Sequence, residues 1–386
     1  MLKEEELHWL ALKLVSGLGT RNSGKMLDRF KTPQAIFRAS RSELEGAGLS
    51  GVVAQSITSG CTFEDAVVQQ EKMLEAGAEL VTLGDARYPR PLREIFDPPI
   101  ALFVRGRVEL LQSLSLAVVG TRRPTPYGLA AAERLTADLA HAGLAIVSGM
   151  ARGIDTAAHK GALAAGGDTV AVLGCGVDVV YPSENRKLAA DLAVKGLIVS
   201  EFPMGAVAFP QNFPIRNRII SGMSVGVMVV EGAQYSGSAI TAKLAMDQGR
   251  EVFAVPGNIT SKLSWGPNLL IKQGARLVQD WNDVVSDLPA EARRQLIEKG
   301  RQRILAEGPA SGCAGQASLL DGVGPELGET ARHALAALHV DSSVHLDNLL
   351  EIVQDTSPSE LIAALFELEM LGLVKQLPGK NFVKVW

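Results

Sequence analysis

The residues best suited to chemistry in this 386-residue chain stand just behind apolar runs in its middle, and the chemistry they suit is phosphate binding. Val119-Gly120-Thr121-Arg122-Arg123-Pro124 occupies the place of a dinucleotide fingerprint but lacks its G-x-G-x-x-G spacing. Arg122 stands where the second glycine would admit a pyrophosphate, and a guanidinium fork there fits a pair of phosphate oxygens. In Ser148-Gly149-Met150-Ala151-Arg152-Gly153-Ile154-Asp155, glycine and alanine let a ligand approach the backbone closely. Asp155 and His159 could share a helix face. Metal or general-base use then competes with helix capping and a local hydrogen bond, and no third ligand stands nearby in sequence. Cys175 lies between glycines with no assured basic partner, which gives little support to a nucleophilic thiol.

Farther along, Asn185, Arg186 and Lys187 follow Tyr181-Pro182 at the start of a helical stretch. Cations oppose the helix dipole there, so their placement points to phosphate contact, against the alternative of ordinary solvated charge. Phe213-Pro214-Ile215-Arg216-Asn217-Arg218 combines two guanidinium forks with an aromatic ring that either stacks on a base or packs in the core. Ser236, Gly237, Ser238 and Thr241 open a further helix, where free amides and the dipole attract an anion without a lysine.

The elements that must position these residues are legible. Strand-length apolar runs at 116–119, 145–147, 170–173, 197–199, 225–230, 252–255 and 276–278 alternate with helical stretches such as 129–141, 156–165, 186–195 and 239–248. Continuous apolar runs separated by helices predict an α/β fold, a doubly wound parallel sheet whose ligands bind at the C-terminal strand ends. The net charge is −4, unevenly spread: −2 over 1–104, +4 over 105–282 and −6 over 283–386. Three cysteines exclude a disulfide framework and lack metal-ligand spacing. The acidic first residues do not resemble a secretory signal and no run reaches membrane-spanning length, so a cytoplasmic protein is expected.

The flanks differ from the centre. Residues 1–75 read as a helical domain in which helix, glycine turn and helix occur twice, around Gly17-Leu18-Gly19 and Gly46-Ala47-Gly48. This resembles helix-hairpin-helix modules, whose amides hold phosphate, and equally suits plain helical packing. Residues 76–286 form the central domain. A linker over 287–330 follows, rich in Gly, Ala, Ser and Pro from 307 to 329. Residues 331–386 read as three helices and a hairpin, similar to a winged helix. Its third helix, 359–371, carries Glu360, Glu367 and Glu369 and no Lys or Arg. A groove-reading helix must not repel phosphate, so a protein contact or a structural role is expected for this tail.

Taken jointly, the central strings resemble the DprA/Smf family of DNA-processing proteins over roughly residues 80–280. They include Gly120-Thr121-Arg122, Ser148 to Asp155, Gly174-Cys175-Gly176-Val177-Asp178, Phe213 to Arg218, Ser236-Gly237-Ser238 and Phe253-Ala254-Val255-Pro256-Gly257. The resemblance implies an extended Rossmann-like domain that binds single-stranded DNA, protects incoming strands during natural transformation and helps load RecA onto strands covered by single-strand-binding protein. It further implies a dimer, with its interface near 264–277, and no catalysis or cofactor. Arg122 and Lys187 would be the main phosphate contacts, with Gly237 and Ser238 beside them and Arg216 and Arg218 lining the same pocket. A nucleotide-binding or nucleotide-hydrolysing Rossmann protein is the alternative, but the hydrolase's Pro-Gly-Gly-x-Gly-Thr loop is absent after Val230.

Overall fold

The structure is a computed structural model that describes residues 4–234, 236–307, 329–338, 344–353, 356–357, 360–362, 364–365, 368, 374–377 and 381–384. The N-terminal part holds α1 (Glu4–Leu14), α2 (Gly19–Phe30), α3 (Pro33–Arg38), α4 (Arg41–Gly46), α5 (Gly51–Ser59) and α6 (Phe63–Ala76). Ser40 with Glu43 forms a capping box on α4 and Ser50 caps α5, while Gly60 and Gly77 end α5 and α6 in left-handed conformation.

Two strands, β1 (Glu79–Thr82) and β2 (Ala101–Gly106), flank the short α7 (Arg90–Arg93). An alternating series follows: β3 (Ser115–Val119), α8 (Pro126–His141), β4 (Ala145–Ser148), α9 (Ile154–Ala164), β5 (Thr169–Leu173), α10 (Arg186–Lys195) and β6 (Leu197–Ser200). It continues with α11 (Asn212–Met223), β7 (Gly226–Val229), α12 (Gly237–Asp247), β8 (Glu251–Ala254), α13 (Trp265–Lys272) and β9 (Arg276–Leu277). Among the described residues these strands make one sheet in the order β1-β2-β6-β5-β4-β3-β7-β8-β9. From β6 to β9 every pairing is parallel, and β1 and β2 extend the edge in antiparallel register.

Burial explains the pattern. Side chains alternate across a strand, yet every residue of β3 is buried because helices cover both faces. Leu116 and Val118 pack with Leu135, Leu139 and Ala158 of α8 and α9. Ala117 and Val119 face the other way, toward Ile219, Ile220 and Ala242 of α11 and α12. Each fully buried aliphatic side chain contributes roughly 1.5–3 kcal/mol. Strand order reverses direction between β4-β3 and β3-β7, so the loops after β3 and β7 border the crevice expected at such a switch point.

The helical part does not stand apart from the sheet. Leu10, Leu12 and Ile57 share one apolar cluster with Phe103, Leu173 and Ile198, and a single compact unit runs to Ala306. The first glycine turn has Gly17 and Gly19 at positive φ. Beside it, the chain's own Glu201 carboxylate accepts from Thr20 Oγ1 at 3.2 Å and Lys13 Nζ at 2.9 Å. The two helices joined by this turn are thus tied to the sheet through Glu201 by side chains, as a packing role requires.

The linker expected over 287–330 is corrected in its first half. After α14 (Trp281–Asp287), residues Ala290–Glu307 form the helix α15. Ala292 and Leu296 are buried against the sheet's helices, and Lys299 reaches the Gly143 carbonyl at 3.0 Å. The polar composition of this segment hid an anchoring stripe of only a few residues. Residues 308–328 lie outside the described residues.

A second unit begins at Glu307. It contains α16 (Glu329–Ala337), β10 (Val344–His345), α17 (Leu346–Ile352), β11 (Val374–Leu377) and β12 (Asn381–Lys384), with sheet order β10-β12-β11. Leu335, Leu349, Leu361, Leu365 and Phe382 form its core. Residues 360–362, 364–365 and 368 of the expected third helix are helical. Glu360 accepts from the Ser357 amide at 3.0 Å and its own amide donates to Ser357 Oγ at 3.3 Å, so Ser357 caps this helix and Glu360 closes the capping box. Glu367 and Glu369 lie outside the described residues. Among the described residues, no helix is long and apolar enough to cross a membrane.

Candidate nucleic-acid interface

The loops after β3, β4 and β7 and the N-termini of α11 and α12 enclose a crevice of ≈ 710 Å³. Of the residues expected at a phosphate site, Gly120, Arg122, Arg123, Arg216, Asn217, Ser236, Gly237, Ser238 and Thr241 line it. Arg122 and Arg123 are exposed and form no ion pair among the described residues. The Arg122 guanidinium lies 5.1 Å from the centroid of Phe213. Phe213 in turn lies 5.6 Å from Tyr181, ring to ring, at 37°. Phe213 is half-buried and Tyr181 exposed, so the crevice carries an aromatic pair beneath an arginine fork.

Opposite stands the start of α12. Ser236 caps it, accepting from the Ala239 amide at 3.4 Å, and its Oγ meets Ser238 Oγ at 2.8 Å. The first amides of a helix have no partner within it. Those of Ala239 and Ile240 turn to Ser236, which among the described residues leaves the Gly237 and Ser238 amides for an anion. Thr241 Oγ1 donates back to the Gly237 carbonyl at 3.1 Å and so braces the turn.

Arg216 forms the floor. It is buried, donates to the carbonyls of Gly149 and Val172, and holds Asn217 Oδ1 at 3.2 Å. Burial lowers this guanidinium to about 10, partly countered by Asp155, and it stays charged at neutral pH. Asp155 is also buried and accepts from the amides of Gly149 at 3.2 Å and Ala151 at 3.4 Å. Burial raises its carboxyl to about 6, with Arg216 and the two amides pulling the other way. His159 faces elsewhere, its Nδ1 2.7 Å from Thr169 Oγ1, and burial lowers it to about 3. Asp155 and His159 are thus separate structural groups. Burial raises the Cys175 thiol to about 11, and its Sγ meets the Val179 carbonyl at 3.4 Å, which opposes a nucleophilic role.

Five expected contacts are placed differently. Gly149 is covered by Arg216 itself: a Cβ there would lie 2.4 Å from the guanidinium, so its smallness admits a side chain and not a ligand. Arg152 is exposed and paired with Glu184. Asn185 is buried and donates to the Met150 carbonyl at 2.9 Å and Thr156 Oγ1 at 2.8 Å, which fixes the β4 loop. Lys187 is exposed on the first turn of α10, outside the crevice lining. Arg218 points away from the crevice into a buried ion pair with Glu201 and lies 3.3 Å from Asp97. The helix turn separates Arg216 from Arg218 onto different sides of α11, which a three-residue motif conceals. Tyr181, Pro210 and Thr121 line the crevice and were absent from the expected contacts. Tyr181, a tyrosine beside proline after a strand, and Thr121, inside Gly120-Thr121-Arg122, carried a sequence signal.

Comparison with known proteins agrees with this architecture. The family model for DNA recombination-mediator protein A matches residues 79–289, and that for the DprA winged helix domain matches 322–380. The chain is similar to Protein Smf of Synechocystis, at 32% identity over 99% of each chain. It is similar to DNA processing protein DprA of Bacillus subtilis, at 42% identity over 56% of this chain and 73% of that one. The X-ray structure of DprA from Streptococcus pneumoniae superimposes with a TM-score of 0.67 at 36% identity, covering 75% of this chain and 99% of that one. A sheet with this switch-point crevice, a winged helix and full-length similarity to Smf together make the chain a member of the DprA/Smf family of DNA-processing, recombination-mediator proteins.

Proposed function

We propose that the crevice binds single-stranded DNA, and that the protein thereby protects incoming strands during natural transformation and helps load RecA onto strands coated by single-strand-binding protein. The observation that carries this reading is the convergence of Arg122, Arg123 and the α12 amides on an aromatic pair in one open crevice, above the buried charge of Arg216. Cations beside partly exposed rings suit a polymer of phosphates and unpaired bases. Among the described residues that line the crevice, three are arginines and one, Asp155, is a carboxylate. The names of the relatives, DNA processing protein and recombination mediator, support the same role. Lys187, exposed on the first turn of α10, and Arg152, exposed but paired with Glu184, are proposed as further phosphate contacts. The protein works in the cytoplasm as a homodimer through the edge at β9, where Trp265 and Leu277 are exposed.

Anisotropy titration of a labelled oligothymidine at several salt concentrations tests the binding. Affinity falls steeply with salt, and matched duplex and mononucleotides compete weakly. Displacement by low mononucleotide would return the crevice to a small metabolite. Loading is read separately, as a shorter lag in RecA filament growth on strands coated by single-strand-binding protein.

Two variants probe the crevice. Phe213→Ala removes one stacking surface and weakens binding by about 1–3 kcal/mol with an unchanged salt slope. Asp155 makes binding depend on pH. Its carboxyl titrates near 6, so acidification from pH 8 to 5 removes the lone opposing charge and strengthens binding. If bound phosphate raises that carboxyl by about one unit, the gain is about tenfold. Asp155→Asn keeps an acceptor for the two amides and flattens the pH profile. An equally steep profile in that variant would assign the dependence to other groups.

A further inference from the structure

A second groove, of ≈ 330 Å³, opens on the other side of Arg122, between α8 and α9. Its floor is one face of α9: Gly153, Thr156, Ala157 and Lys160 follow at i, i+3, i+4 and i+7. Three small residues make a trench and a lysine closes it. Leu129 and Glu133, one turn apart on α8, form the wall. The trench is held rigidly, because Gly161 brings the helices so close that a Cβ would lie 2.3 Å from Thr136 Oγ1. Gly153 likewise touches the Arg122 backbone, where a Cβ would meet the Arg122 carbonyl carbon at 2.9 Å.

Arg122 is therefore shared by crevice and trench. Lys160 is exposed and forms no ion pair among the described residues. From Gly153 to Lys160 the helix rises about 10 Å, room for one or two nucleotides. Between the two cations lie Thr156, whose hydroxyl is held by the Ala151 carbonyl and Asn185, and the partly exposed Leu129, an apolar surface for a sugar or base. Glu133 lies at the wall and leaves Lys160 as the point for a phosphate.

Resting on the single-strand reading of the crevice, we propose that the strand leaves the crevice past Arg122 and continues in the α8–α9 trench, with its next phosphate at Lys160. The trench extends the binding site and lengthens the strand that one protomer holds.

The test titrates oligothymidines of graded length against the full chain, Lys160→Ala, Lys160→Arg and Arg122→Ala. Lys160→Ala binds the shortest oligomers as the unaltered protein does. It binds longer ones about three- to tenfold more weakly, with a salt slope lower by about 0.7. Lys160→Arg restores both. Should Lys160→Ala match the unaltered protein at every length while Arg122→Ala is weakened, the trench is refuted and the crevice reading stands. Equal weakening at every length also overturns the trench, since Lys160 would then belong to the primary contact. If neither variant is weakened, the crevice reading itself fails.

Discussion

Replacing Arg122 by alanine weakens single-strand binding by about 1–3 kcal/mol, the scale of a lost charge-assisted contact. The structure explains why this arginine leads the others. Arg216 is consumed by carbonyls and Arg218 by carboxylates, whereas Arg122 is exposed, has no ion pair among the described residues and belongs to both crevice and trench. Its guanidinium lies over Phe213, so the fork is held near its working position before DNA arrives. The substitution removes one phosphate neutralisation, and the slope of affinity against salt falls by about 0.7. Arg122→Lys keeps the charge, loses the bidentate fork, and falls between the two. Salt-dependent anisotropy measures all three. An alanine variant with unchanged affinity and slope would remove Arg122 from the interface.

Replacing Arg218 by alanine acts on stability instead. Arg218 and Glu201 are both buried, and Lys13 and Thr20 from the N-terminal helices complete the network around Glu201. Burial by itself would raise the Glu201 carboxyl, but Lys13 and Arg218 reverse this and hold it below the usual range. A carboxylate held low in the folded state stabilises above its unfolded pKa, and this is lost as pH falls through the lowered value. At pH 7 the contribution is fully present. Removing one partner of a buried pair costs about 3–5 kcal/mol. For a unit that runs to Ala306 that lowers Tm by roughly 5–8 °C. Thermal unfolding at pH 7 measures the loss. Below its transition the variant retains the salt slope of DNA binding, which separates Arg218 from Arg122. A reduced slope with unchanged Tm would instead make Arg218 a phosphate contact.

The parallel sheet, its strands and the crevice location were legible in the sequence because each rests on local physics. A strand buried on both faces must be apolar throughout, so 116–119, 145–147 and 170–173 announced themselves. Ligand loops follow parallel strands, and helix-opening Ser236-Gly237-Ser238 exposes amides wherever the helix sits. Arg122 needed only its place after β3. Helix α15 was hidden, because its apolar stripe is narrow in a charged segment. What only the tertiary structure decided is the use of each polar group. Arg216, Arg218, Gly149 and Asn185 carry the residue types of a binding site, yet buried carbonyls, Glu201 and the β4 loop claim them. The reason is that a buried charge or donor must find a partner, and that partner comes from strands and helices distant in sequence.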